Sequence, residues 1–231
     1  MTVMSMPQQN RLLAFAVLVV LQAFLGGSAF AETAALAPAP KDDNAKAAGP
    51  AQTAVLAGGC FWGIEGVFEH VRGVRDVVSG YAGGDADKAH YEIVSSGRTG
   101  HAESVQIKFD PQEITYGEIL RIFFSVAHDP TQLNRQGPDT GTQYRSEIFY
   151  ADETQKDIAN KYIAQLNAAG IFSGPVVTRV EALQIFYPAE SYHQDFIAKN
   201  PRYPYVVFND LPKIRNLEKE FPDLYRDGPH D

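Results

Sequence analysis

The sequence predicts an α+β domain, and three stretches carry that reading. Ala102-Glu103-Ser104-Val105-Gln106-Ile107-Lys108-Phe109 alternates as a half-buried strand does. From Phe61 onward, Ile64, Val67, Phe68 and Val71 recur at helical spacing. Thr115-Tyr116-Gly117-Glu118 is a capping box opening a second helix, with Ile119, Ile122, Phe123 and Val126 along one face. Strands and helices follow one another in mixed order, which implies a sheet with helices packed mainly on one face.

The first 31 residues do not count toward that domain. Arg11 and the amino terminus give a positive start, Leu12 to Leu25 form an apolar run, and Ser28-Ala29-Phe30-Ala31 has a small-x-small ending. This is the pattern of a signal peptide over 1–31, with cleavage expected after Ala31 and export, to a periplasm, as the consequence. The apolar run is shorter than a membrane-spanning helix needs, so a retained N-terminal anchor is the second reading. Residues 32–51 are rich in alanine and proline without a period, and are expected to form a flexible linker. One domain of residues 52–231 then follows, with no internal repeat.

Ala54 to Ala57 reads as a strand that meets Gly58 and Gly59, after which Cys60 begins the first helix. The unpaired N–H groups and positive end of that helix favour a thiolate at Cys60. The two glycines permit a sharp turn and close approach of another molecule to the sulfur. Phe61 and Trp62 are large apolar surfaces suited to gripping something small and apolar. A lone cysteine is by itself more often a buried structural thiol. The Gly-Gly-Cys-Phe-Trp-Gly context points instead to a reactive one.

Arg72-Gly73 ends the first helix, Val74 to Ser79 reads as a strand, and Gly80-Tyr81-Ala82-Gly83-Gly84 as a flexible turn. Residues 85–100 look irregular or briefly helical, with Tyr91 and Ile93 as inward anchors. In the strand that follows, Glu103 shares parity with Val105, Ile107 and Phe109, so it points to the apolar side. A carboxyl drawn into apolar surroundings holds its proton toward neutral pH and can donate it. The other reading is that Glu103, near the strand's start, reaches solvent. After the capped helix stops at His128-Asp129-Pro130, residues 129–145 form a long polar loop, of a length that usually serves a function. Ser146 to Tyr150 is a strand, Asp152 to Ala169 a helix ended by Gly170, and Val176 to Leu183 another strand. Ala189 to Lys199 and Leu211 to Phe221 are read as helices.

With 20 basic and 28 acidic residues the chain carries a net charge of −8, and it lacks a basic cluster. Nucleic acid and anionic membrane are therefore not expected as partners. The six histidines share no ligand spacing with a second cysteine, so no metal is expected. An exported chain with an odd cysteine suggests a reactive thiol or an intermolecular bond. All three methionines, Met1, Met4 and Met6, fall in the expected signal, which suits work among oxidants.

Gly59-Cys60-Phe61-Trp62-Gly63, Thr99-Gly100-His101-Ala102-Glu103, His128-Asp129-Pro130-Thr131 and Asp139 through Ser146 resemble the motifs of the A-type peptide methionine sulfoxide reductases, over roughly residues 53–205. His193-Gln194 resembles a weaker fifth block. The resemblance implies a two-layer α/β plait (a ferredoxin-like core) with a mixed sheet and long functional loops. It implies reduction of methionine S-sulfoxide, with Cys60 as nucleophile and Glu103 as proton donor. Tyr91 and Tyr144 would hydrogen-bond the sulfoxide oxygen, Phe61, Trp62 and Tyr144 would hold the substrate methyl, and Asp139 would bind the substrate backbone. The partners implied are oxidised proteins or peptides, the chain itself being expected as a monomer.

Many members carry further cysteines toward the C-terminus that resolve the sulfenic acid, whereas this chain has none after Cys60. No bound cofactor is expected, only an external thiol: thioredoxin-like, glutaredoxin-like or a small molecule. Two rival readings are a cysteine hydrolase or acyltransferase with His101 or His193 as base, and a binding module with an inert thiol.

Overall fold

The computed structural model describes residues 35–228, so the expected signal over 1–31 lies outside the described residues. Residues 35–51 do not form the flexible linker expected of 32–51. They run extended across the domain and are held at each step. Ala37 N–H donates to Ser125 Oγ at 3.0 Å, and the Tyr162 hydroxyl donates to Pro38 O at 2.7 Å. Arg121 Nε and Gln165 Nε2 donate to the carbonyls of Ala37 and Ala39. Asp43 accepts from Gly117 N–H at 3.0 Å and from the Thr115 hydroxyl, and so adds a carboxylate to the helix start already capped by Thr115 and Glu118. Composition shows that such a segment has no helix or strand of its own. It does not show that its carbonyls have donors waiting elsewhere in the fold.

The chain then runs β1 (Gln52–Gly58), α1 (Phe61–Glu69), β2 (Val74–Ala82), α2 (Tyr91–Val94), β3 (Ala102–Phe109) and α3 (Tyr116–Ile122). It continues through β4 (Arg135–Gln136), β5 (Asp139–Thr140), β6 (Ser146–Tyr150), α4 (Glu153–Ala169), β7 (Arg179–Ala182), β8 (Phe186–Pro188), α5 (Phe196–Lys199) and α6 (Leu211–Glu220). Six strands form one mixed sheet in the order β7-β6-β1-β3-β2-β8, in which only β6 and β7 are parallel neighbours. β3 lies between β1 and β2 and runs against both, so β1 and β2 are parallel and α1 crosses over β3. This is an α+β fold.

Alternation in β1 sorts the core. Ala54 and Leu56 join the large cluster with Ile64, Phe68, Ile119 and Tyr162, whereas Val55 and Ala57 face a small cluster with Ala82, Ala102 and Phe149. The helices therefore cover one face of the sheet.

Several expected boundaries move. Gly80, Tyr81 and Ala82 are not a turn but the end of β2, paired with β3 on one side and β8 on the other. Ile93 is 43% exposed rather than an inward anchor. The strand expected at 176–183 is regular only over Arg179–Ala182, the helix expected at 189–199 only over Phe196–Lys199, and β8 is an addition. The 129–145 loop contains the small β4–β5 hairpin.

Candidate active site

β1 delivers the chain to the site through Gly58 and Gly59, and here the glycines have a specific job. A Cβ on Gly58 would lie 2.8 Å from the His128 ring, and one on Gly59 would lie 2.6 Å from Gln136 Cβ. Gly59 also has φ +101°, which disfavours any side chain. The close approach at these glycines is thus by the protein's own loop. Gln136 is pinned in turn, its amide donating to Asp129 O and accepting from Asp129 N–H. His128, neutral because burial pushes its pKa down to about 3, bonds to Ser146 Oγ at 2.7 Å and to Phe123 O.

Cys60 is the N-cap residue of α1 and is 9% exposed. One helix-start donor is already taken: Phe61 N–H donates to Glu103 Oε2 at 3.2 Å. Glu103, 2% exposed, sits on β3 opposite Tyr81. The inward reading of its parity is the right one. Burial raises its pKa to about 8, the Phe61 N–H pulling it down and Asp139 pushing it up less strongly. At neutral pH this carboxyl keeps its proton.

Cys60 departs from expectation. Burial, Glu103, Asp210 and Asp139 together push its thiol well above the ordinary range, and only the Trp62 N–H pulls the other way. The helix field is legible in the sequence, but the acids that oppose it come from residues 103, 139 and 210, brought in by the fold. The resting sulfur is a thiol.

The tyrosines surround this pair. Tyr91 and Tyr144 both lie within electrostatic reach of Glu103 and Cys60, and the pKa of each is raised, chiefly by burial. Glu190 fixes Tyr91 by accepting from its N–H at 3.0 Å, while also accepting from the Tyr81 hydroxyl at 2.8 Å. Tyr144 ends a short turn held to the segment before β3 by Thr142 Oγ1 to Gly97 O (2.6 Å) and Arg145 Nη2 to Gly100 O (2.9 Å). Asp139 accepts a hydrogen bond from the Tyr205 hydroxyl. Trp62 is half-buried, stacked flat on Phe196 at 3.7 Å, with Tyr203 and Tyr205 edge-on. Phe61 is buried against Tyr81 and His193.

The structure thus gathers Cys60, Phe61, Trp62, Tyr91, Glu103, Asp139 and Tyr144 around the start of α1. Sequence reasoning missed Tyr205, Phe196 and Asp210. Asp210, placed before Leu211-Pro212, reads as an ordinary helix start, and nothing in the sequence ties it to Cys60. His193 accepts from Trp62 Nε1 at 3.2 Å and packs on Tyr91 at 4.4 Å. That makes it a wall of the site. His101 bonds to Asp85 O instead. The ring nitrogens of these two histidines that form hydrogen bonds are thus engaged with Trp62 and Asp85 rather than with Cys60, which counts against the hydrolase reading. Among the described residues, no three His, Cys, Asp or Glu side chains are grouped to hold a metal.

Comparison with known proteins gives one answer. The family model described as peptide methionine sulfoxide reductase matches residues 52–224. "Peptide methionine sulfoxide reductase MsrA 2" of Mesorhizobium japonicum is 60% identical over 184 residues, 80% of this chain and 94% of that protein. The protein of the same name from Synechocystis sp. is 54% identical over 172 residues, 74% of this chain and 80% of its own length. Among solved structures, the reduced form of Mxr1 from Saccharomyces cerevisiae aligns with TM-score 0.59 and 34% identity, covering 71% of this chain and 92% of that one. Methionine sulfoxide reductase A of Corynebacterium diphtheriae aligns with TM-score 0.58 and 36% identity, covering 68% and 78%. The thiol at the start of α1 and the protonated carboxyl beside it therefore sit in a chain that belongs to the peptide methionine sulfoxide reductase family, oxidoreductases acting on sulfur.

Proposed function

We propose that this chain reduces methionine S-sulfoxide, free or within oxidised proteins, with Cys60 as nucleophile and Glu103 as acid. The observation that carries the reading is Glu103 itself: a buried, protonated carboxyl tied to the first N–H after Cys60. A sulfoxide sulfur is a poor electrophile until its oxygen takes a proton or a strong hydrogen bond, and Glu103 with the Tyr91 and Tyr144 hydroxyls is suited to supply it. Trp62 and Phe61, with Tyr144, offer apolar surface for the methyl group, and Asp139 an acceptor for the substrate backbone N–H.

The step balances without a cofactor. Cys60 sulfur attacks the sulfoxide sulfur as Glu103 gives its proton to the oxygen. The thiol hydrogen returns to Glu103, and the new S–S bond then breaks as the hydroxyl passes from the methionine sulfur to Cys60. One methionine leaves, and Cys60 remains as a sulfenic acid. Cys60 is the chain's one cysteine, so no internal disulfide can follow. Two external thiols then restore Cys60, releasing water and their own disulfide. A thioredoxin-like or glutaredoxin-like protein, or a small thiol, has the required chemistry. Export to a periplasm, from the pattern over residues 1–31, belongs to the same proposal.

The test is a turnover assay on each sulfoxide epimer with each class of thiol. Reduction of the S epimer, abolished in Cys60→Ser, is the expected result. Thioester hydrolysis without sulfoxide reduction would instead support the cysteine-hydrolase reading.

A further inference from the structure

Asp210 is 0% exposed, and neither of its carboxyl oxygens has a hydrogen-bond partner among the described residues. It closes a wide turn, Val206–Asp210, immediately before α6, and its side chain caps nothing there. Its position explains the second glycine of Gly59-Cys60-Phe61-Trp62-Gly63. A Cβ on Gly63 would lie 2.4 Å from Asp210 Oδ1 and 2.8 Å from Lys213 Nζ. Gly63, in the first turn of α1, is the room in which this carboxyl and the Lys213 ammonium are seated.

An interior carboxyl without donors is unfavourable to folding, so its presence calls for a reason other than stability. The helix start at Cys60 supplies one. Unopposed, the N–H groups and dipole of α1 would draw the sulfur toward the thiolate, the form that oxidants attack as readily as substrate does. We propose that Asp210 is a positioning residue for Cys60: seated against the first turn of α1, its charge opposes the helix field on the sulfur and adds to the burial that holds the substrate-free protein as a thiol. Activation then waits for the sulfoxide, which takes the proton of Glu103 and leaves a carboxylate to receive the thiol hydrogen. The inference rests on Cys60 being the nucleophile.

The groups around the pair are few. Glu103 on β3 and Asp139 on β5 act on Cys60 in the same sense as Asp210, and Tyr91, Tyr144 and Tyr205 lie within electrostatic reach of the sulfur, the Tyr205 hydroxyl bonded to Asp139. Burial lifts the pKa of Asp210 to about 7, Lys213 from α6 favours its charged form, and Asp139 opposes it.

The experiment is the rate of Cys60 alkylation by iodoacetamide across pH, on the full chain without substrate. In Asp210→Asn the profile should move down by about one pH unit, so that alkylation rises about tenfold at about pH 8, where Asp210 is ionised in the wild type, and by less near neutral pH. Asp210→Ser should shift it the same way, with circular dichroism confirming the fold of both. An unmoved profile, or one moved upward, overturns the proposal. The wild type provides a check that needs no variant: its thiolate absorbance should titrate above the ~8.5 of free cysteine, and a lower midpoint overturns the proposal equally. Wild-type sulfoxide reduction, measured beside these, separates a failure here from a failure of the proposed reaction.

Discussion

At the residue scale, the parity of Glu103 with Val105, Ile107 and Phe109 points its carboxyl to the apolar side but leaves it a way to solvent at the strand's start; the fold buries it, and that burial raises its pKa to about 8. Glu103→Gln keeps the shape and loses the proton, so reduction should slow by roughly a hundredfold or more. In single-turnover kinetics the wild-type rate should also fall as pH rises past about 8, where Glu103 gives up its proton, and the Gln variant should lack that limb. Cys60 shows what a residue-level reading leaves out. The helix start is written in local spacing, but Asp139 and Asp210 lie some 80 and 150 positions away in the chain, and only tertiary folding brings their charges to the sulfur. Trp62 was legible as an apolar surface. Its stacking on Phe196 and its bond to His193 were not, since those partners follow more than 130 residues later.

At the scale of elements, local signals were sufficient wherever an element carries its own pattern. Alternation bounds β3 at Ala102–Phe109, and the Thr115–Glu118 capping box starts α3 where the sequence places it. They were insufficient where pairing or packing confers order. Gly80-Tyr81-Ala82 is composed like a turn yet lies between β3 and β8, and residues 35–51 are composed like a tether yet are bonded to α3 and α4. The strap has a measurable role. Asp43→Ala removes two hydrogen bonds at the start of α3 and should lower stability by about 1 kcal/mol, read as a lower urea midpoint. The β1–α1 turn is more demanding. Gly59→Ala would force a side chain to φ +101° and into Gln136, displacing Cys60, so reduction should fall at least about tenfold while the chain stays folded.

For the whole molecule, five buried acids have pKa values lifted chiefly by burial: Glu65 and Glu103 to about 8, Glu69 and Asp210 to about 7, and Glu147 in the same direction against the pull of Arg145. A carboxyl whose folded-state pKa lies above its unfolded value binds more protons in the native state. Its contribution is complete below the unfolded pKa and is lost as pH rises through the folded one. Below about pH 6.5, His128 and His193, whose pKa values are depressed, work in the opposite sense and flatten the curve. Urea unfolding from about pH 6.5 to about pH 8.5 should therefore show a falling midpoint, and Glu65→Gln, remote from the reacting sulfur in role, should lessen the fall. The fold class and the one-sided packing of helices were legible from periodicity. The order of strands in the sheet was not, because it depends on pairings between segments that carry no mark of one another.

The central claim is that Cys60 takes the oxygen from the sulfoxide. Intact-protein mass spectrometry after one equivalent of methionine S-sulfoxide, with no thiol present, tests it directly. The account predicts a gain of one oxygen atom, mapped to Cys60, for each methionine released. Methionine released from a chain of unchanged mass, or an oxygen mapped to any other residue, would contradict it.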